Sequence, residues 1–245
     1  MTYCVAVRVN AGLVMLSDTR TNAGIDNISR FRKMFTYEVP GERAITMMSS
    51  GNLSITQEVK TCISAAIKAH RADGETETIL NAPTMHRVAQ IVGEAMQSVQ
   101  KRYKGTIETQ GAAAGASIII AGQRKGGKLR LYLIYSAGNF IEATADTPFF
   151  QIGEHKYGKP ILDRIIKPDT TLGDAVKAVC VSMDSTLRSN LSVGMPLDMS
   201  IIEHDAFSFR TRIRIEPDDE QFAMISDSWG ASLRKGFESL PQILN

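Results

Sequence analysis

Apolar residues along this chain change their spacing several times, from strict alternation to helical repeats and back. Tyr3, Val5, Val7 and Val9 alternate with Cys4, Ala6 and Arg8, the two-residue repeat of a strand. Asn10-Ala11-Gly12 supplies turn chemistry and Leu13 to Ser17 the return strand, so the chain opens as a hairpin. A second strand pair is expected at Met34–Val39 and Ala44–Ser49, joined by Pro40-Gly41. Val59, Ile63, Ala66, Ile67 and His70 then share one helical face, as do Met85, Val88, Val92, Ala95, Met96, Val99 and Tyr103. Pro83 stands near the start of that second helix, where a missing N–H does little harm. Strands return at Ala116–Gln123 and Leu129–Tyr135, with Arg124 to Lys128 as an exposed hairpin turn. Thr171 and Asp174 have capping-box spacing ahead of an apolar stripe of Leu172, Ala175, Val176, Val179, Met183 and Leu187. Two further strands, near Asp198–His204 and Ser208–Ile215, lead to a helical segment carrying Phe222, Ile225, Trp229 and Leu233.

The order is therefore strands, two helices, strands, one helix, strands, one helix. That order implies an α+β fold of two mostly antiparallel sheets packed together, with helices on the outer faces. No internal repeat or linker interrupts it, so residues 1–245 are expected to form one domain, with a helical C-terminal segment at about 219–240.

Composition narrows the function classes. Lysine and arginine number 28 against 26 acids, a net charge of +2 with no basic block, which argues against a nucleic-acid partner. No apolar run approaches the ~20 residues of a membrane span, and no signal peptide is visible, so a cytoplasmic location is the expectation. Cys4, Cys62 and Cys180 are odd in number and far apart, fitting neither a disulfide framework nor a metal knuckle. The four histidines lack metal-ligand spacing, and no cofactor or metal is expected. Gly111–Ser117 lacks the Gly-Lys-Ser/Thr ending of a phosphate loop and reads as small residues before a buried strand.

Chemistry concentrates near the start, in Thr2 and the segment SDTRTNAGIDNISRFRKMF. On spacing alone that segment reads first as a loop of solvated charges. A functional reading asks what a free Thr2 would need. Its hydroxyl is a weak nucleophile and requires a base, which the chain's own α-amine supplies once exposed. A neighbouring cation favours the neutral amine, an aspartate must hold that cation, and backbone N–H groups must face the oxyanion. Thr2, Asp18, Lys33 and the turn at Ser49–Asn52 provide one of each.

Together, Thr2, the strand–turn–strand, Asp18-Thr19-Arg20 with Ala23-Gly24, Lys33 and Ser50-Gly51 resemble proteasome-type β subunits, which are N-terminal nucleophile hydrolases. MTYCVAV, SDTRTNAGIDNISRFRKMF and FFQIGEHKYGKPILDR are similar to the bacterial Anbu group, the ancestral β subunits. The resemblance implies a four-layer αββα sandwich and a peptidase whose nucleophile, Thr2, is exposed by loss of Met1. It implies Lys33 as the residue that tunes the amine, Asp18 as the acid that orients it, and Arg20 as a supporting basic residue. Gly51 matches the oxyanion-hole position, and Thr21 with Asn22 falls where substrate backbone adds as a strand. Thr21, Phe31, Phe35, Ser49 and Leu53 would line a largely apolar substrate pocket. A homo-oligomer, ring or helical, is implied, with a peptide or unfolded protein as substrate; an ATPase partner stays open.

The chain departs from the family pattern at two places. Glu154 follows Gly153 where the family has a serine, and Ser189 stands where it has an aspartate, although Ser192 matches a neighbouring serine. A glutamate beside the α-amine would bind it as ammonium and weaken the base. The alternatives are an amidase for an unusual small amide or γ-peptide, and an inactive structural subunit; the presence of Thr2, Asp18 and Lys33 weighs against the latter.

Overall fold

In the computed structural model, residues 2–22 and 28–243 are described, the side chain of Asn22 excepted. The expectations resting on Met1, Ala23, Gly24 and that side chain lie outside these residues.

The opening hairpin is β1 (Tyr3–Val9) and β2 (Gly12–Asp18). The segment read as a loop of solvated charges is instead short paired strands, β3 (Arg20–Asn22) and β4 (Ile28–Arg30), and its Asp18 and Lys33 are buried. Strands β5 (Met34–Val39) and β6 (Arg43–Gly51) follow, then helices α1 (Leu53–Asp73) and α2 (Met85–Thr109). Strands β7 (Ala116–Arg124) and β8 (Arg130–Ile134) flank the expected hairpin turn. Two short strands went unanticipated, β9 (Phe140–Glu142) and β10 (Phe149–Gly153), as did the two-turn helix α3 (Lys159–Ile165). Helix α4 (Leu172–Ser189), strands β11 (Leu197–Glu203) and β12 (Phe209–Ile215), and helix α5 (Glu220–Glu238) complete the order.

The strands form two five-stranded open sheets, β10-β1-β2-β11-β12 and β5-β6-β7-β8-β9, antiparallel throughout. Three apolar layers hold the sandwich. Tyr3, Val5 and Val7 point outward under Val179 and Met183 of α4, while Ile45, Met47 and Ile118 point outward under Ile63 and Val92 of α1 and α2. Between the sheets lie Cys4, Ala6, Met15, Met48 and Ile119. The inward side of β1 carries small residues, which lets the sheets approach closely enough for Thr46 Oγ1 and Ser200 Oγ to meet at 2.9 Å across the gap. The layering is therefore helices, sheet, sheet, helices.

The helices begin where side chains satisfy their free N–H groups. Asn52 caps α1 by accepting from Ser54 and Ile55, and Thr84 caps α2 by accepting from Arg87. Thr171 accepts from the Asp174 N–H at 3.1 Å and so caps α4, but the Asp174 carboxylate takes the Thr171 hydroxyl at 2.7 Å in place of the backbone N–H that a capping box would use. Tyr103, expected on the apolar face of α2, is instead 39% exposed and lies beyond Gln100, the last buried position of that helix. Among the described residues no helix is long and apolar enough to cross a membrane.

Candidate functional site

Strand β1 starts at the edge of the sandwich core, and its first peptide unit is held from both sides. The Thr2 carbonyl accepts the Glu154 N–H at 2.7 Å, and the Tyr3 N–H donates to Asp18 Oδ1 at 3.0 Å. Thr2 itself is 8% exposed. The turn after β10 closes over it: Gly153 has φ +83°, and a Cβ there would lie 1.9 Å from the Thr2 carbonyl oxygen. Only glycine fits that position.

Asp18 ends β2 and is fully buried. Its Oδ1 also accepts from Lys33 Nζ at 2.7 Å, and its Oδ2 accepts from the Gly194 N–H at 3.3 Å. Lys33 Nζ donates in addition to the Arg20 carbonyl at 2.5 Å. Burial raises the Asp18 carboxyl above its ordinary value, opposed by the Lys33 ammonium and by the Tyr3 and Gly194 N–H groups. Lys33 is placed by the backbone as well, since its carbonyl accepts the Ser49 N–H at 3.0 Å. The set joins β1, β2, the residue just before β5, and β6, so both sheets contribute.

The supporting positions surround this set. Arg20 Nη1 donates to the Leu191 carbonyl at 2.8 Å, tying β3 to the loop after α4. Asn190, at the end of α4, donates to Glu154 Oε2 at 3.1 Å and accepts the Ser192 N–H at 2.9 Å. The Glu154 carboxylate is thus held by Asn190, while its N–H holds Thr2. Ser189 is exposed at the last turn of α4. Gly51, at the end of β6, has φ +99° and presses on Gly115, where a Cβ would lie 2.3 Å from the carbonyl oxygen.

The residues expected to line a substrate pocket are more dispersed. Thr21 pairs with Ser29 across β3–β4 and is half-buried, and Ser49 is buried in β6. Leu53 opens α1, half-buried. Phe31 is 37% exposed, its N–H bonded to the Thr19 carbonyl at 2.9 Å. Phe35 packs against the cluster under α1 and α2, with Lys60 Nζ 5.8 Å from its ring centroid. A cation therefore borders one ring of the pocket expected to be largely apolar.

Sequence reasoning missed Tyr3, Gly153, Asn190 and Gly194. Tyr3 anchors the first strand through its phenol, which meets Ser182 Oγ at 2.6 Å and accepts from Gln151 Nε2 at 2.5 Å. Burial pushes that phenol up to about 12. The glycines at 153 and 194 were visible as letters, but their partners are 151 and 176 positions away in sequence. Among the described residues no group of three or more His, Cys, Asp or Glu side chains could hold a metal ion.

Two open antiparallel sheets between helical layers, with Thr2 at the head of the first strand, are the fold of a proteasome-like N-terminal nucleophile hydrolase. The chain belongs to the proteasome subunit family: residues 2–202 match the family described as "Proteasome subunit". Within that family it is similar to Anbu, the ancestral β subunit. The Anbu structure from Yersinia bercovieri is 45% identical, covering 99% of each chain with a TM-score of 0.90. That from Hyphomicrobium sp. strain MC1 is 46% identical over 99% of this chain and all of the other, TM-score 0.90. A structure described as the helical assembly of the Anbu complex from Pseudomonas aeruginosa is 42% identical over 99% of this chain and 98% of that one, TM-score 0.92. A sequence search of curated proteins found no match.

Proposed function

We propose that this chain is a threonine-type peptidase whose nucleophile is Thr2, made N-terminal by removal of Met1. The observation that carries this reading is the buried carboxylate of Asp18, which holds Lys33 Nζ at 2.7 Å and the Tyr3 N–H at 3.0 Å, one residue from Thr2. A buried lysine–aspartate pair at the head of a strand costs desolvation, and it does no packing work that an apolar pair would not do better.

In this reading Thr2 Oγ attacks the substrate carbonyl carbon while its proton passes to the α-amine of the same residue. The Lys33 ammonium, held by Asp18 and the Arg20 carbonyl, favours the neutral amine. The Gly51 N–H receives the oxyanion. The tetrahedral adduct collapses, the amine returns the proton to the leaving nitrogen, and an ester remains on Thr2 Oγ. Water, deprotonated by the same amine, then hydrolyses the ester. Arg20 and Ser192 support the loop after α4, and Glu154 holds the Thr2 carbonyl.

Substrate backbone adds as a strand along Thr21 and Asn22, and Phe31, Phe35, Ser49 and Leu53 receive a neutral or hydrophobic side chain. Cleavage of acidic fluorogenic peptides alone would refute that preference. The chain is one peptidase domain acting in the cytoplasm as a homo-oligomer that encloses its sites, as the helical assembly described for the Pseudomonas protein suggests. Light scattering measures that assembly.

The deciding experiment is intact mass with N-terminal sequencing of the native protein and of Thr2→Ala, alongside peptide hydrolysis. Loss of Met1 from the native protein and abolished hydrolysis in Thr2→Ala are expected. Retention of Met1 on active protein would overturn the mechanism, because a blocked Thr2 has no free amine.

A further inference from the structure

Arg43 and Arg124 stand directly opposite each other in the β6–β7 ladder, on one face of the sheet. Like charges so placed repel, and a structure keeps them together only where something compensates. Arg43 is compensated: it is 2% exposed, and it bonds Glu42 and the carbonyls of Ile79 and Ala82 at 3.1 and 3.0 Å. Arg124 is not. Its Nε is covered yet has no hydrogen-bond partner, and it enters no ion pair among the described residues. A covered donor left unsatisfied in a folded protein calls for a physical reason.

Arg124 lines a cavity of about 500 Å³ that Lys128 and Arg130 border from the same hairpin and Thr84 to His86 border from the start of α2. The acid lining it is Glu142, which Arg130 Nη1 already holds at 2.5 Å and Arg8 approaches at 3.8 Å. Lys128 enters no ion pair among the described residues, and it also lines an adjoining cavity of about 260 Å³ with Arg8 and His204. Two cations, Arg124 and Lys128, are therefore uncompensated at one cavity wall.

We propose that this cavity binds a small phosphomonoester, with its phosphate held by Arg124 and Lys128. A phosphomonoester carries a charge of about −1.5 to −2 near pH 7, which matches two free cations. The planar fork of arginine suits phosphate oxygens. The volume lies within the range of small-molecule sites and leaves room for the body of the ligand beyond its phosphate. Arg8 and Val9 border the adjoining cavity at the far end of β1, roughly 20 Å from Thr2 at strand rise, so this site is separate from the peptidase site. It stands or falls independently of the proposed hydrolysis.

The test is calorimetric titration of the full chain with inorganic phosphate at constant ionic strength, with citrate as a carboxylate comparison. Arg124→Gln, Lys128→Gln and, as a control on the far part of α2, Lys101→Gln are measured in parallel. Saturable phosphate binding is expected, at least tenfold weaker in Arg124→Gln and in Lys128→Gln and unchanged in Lys101→Gln. Ligand-free Arg124→Gln should melt above the parent, since a like-charge pair is relieved. Lys128 is exposed on the hairpin, so its variant keeps the test open if Arg124→Gln folds poorly. Absence of saturable binding, unchanged binding in both variants, or binding of citrate but not phosphate would overturn the proposal.

Discussion

Asp18 organises the candidate site because one oxygen serves two donors, Lys33 Nζ and the Tyr3 N–H. Replacing it by asparagine removes the carboxylate that holds Lys33, so peptide hydrolysis should be lost while the melting temperature stays near the parent's, since burial already disfavours the charged form. Its pH behaviour follows from the direction of its shift. A carboxyl raised in the folded state takes up its proton earlier on acidification than the unfolded chain does, so acid costs no stability at this position. What acid removes is the charge that holds Lys33. The acid limb of peptide hydrolysis should therefore lie above the ordinary aspartate value of about 3.9. A limb at or below that value would contradict the role given to Asp18. Gly153→Ala tests the clamp on Thr2 from the other side. A side chain at φ +83° that also overlaps the Thr2 carbonyl should cost on the order of 3 kcal/mol, read as a lowered melting temperature. Wild-type melting would show that the turn yields freely.

Long helices and paired strands were legible because each carries its period over many residues. The first hairpin, both strands of the second pair, α1, α2, α4 and α5 fall where the apolar spacing put them. Several of the shortest elements were not legible. Strands β3, β4 and β9 are too short for alternation to show, and α3 offers barely two turns around Ile161 and Leu162. Their placement comes from tertiary pairing, as where Thr21 meets Ser29. Capping, by contrast, is local and readable. Asn52 accepts from two N–H groups of α1 and donates to the Ala113 carbonyl at 2.9 Å, which also ties the helix to the segment leading into β7. Asn52→Ala should destabilise by about 1 kcal/mol in chemical denaturation; an effect near zero would mean that water replaces the cap.

Across the whole molecule, two sheets packed face to face bury both sides of their central strands, and that burial extends to titratable groups. Tyr3, Tyr37 and Tyr132 are each pushed by burial from 10.0 up to about 12. Between those values the unfolded chain has lost phenol protons that the folded protein keeps, so stability present below pH 10 falls as pH rises and levels off past about 12. At about 1.36 kcal/mol for each pH unit, Tyr3 alone should account for up to roughly 3 kcal/mol of that loss. Tyr3→Phe should flatten the alkaline decline measured by denaturation, and an unchanged decline would show that its phenol ionises freely in the fold. The sequence alone determined the layering, because periodicity is a property of neighbours along the chain, and it pointed to Thr2, Asp18, Lys33 and Arg20 through their resemblance to proteasome β subunits. Only the tertiary structure decided that Glu154 N–H and Gly153 close on Thr2, that Asn190 takes the Glu154 carboxylate, and that Arg124 faces Arg43. Those residues are distant in sequence, and only strand pairing and the packing of helix ends and turns bring them together.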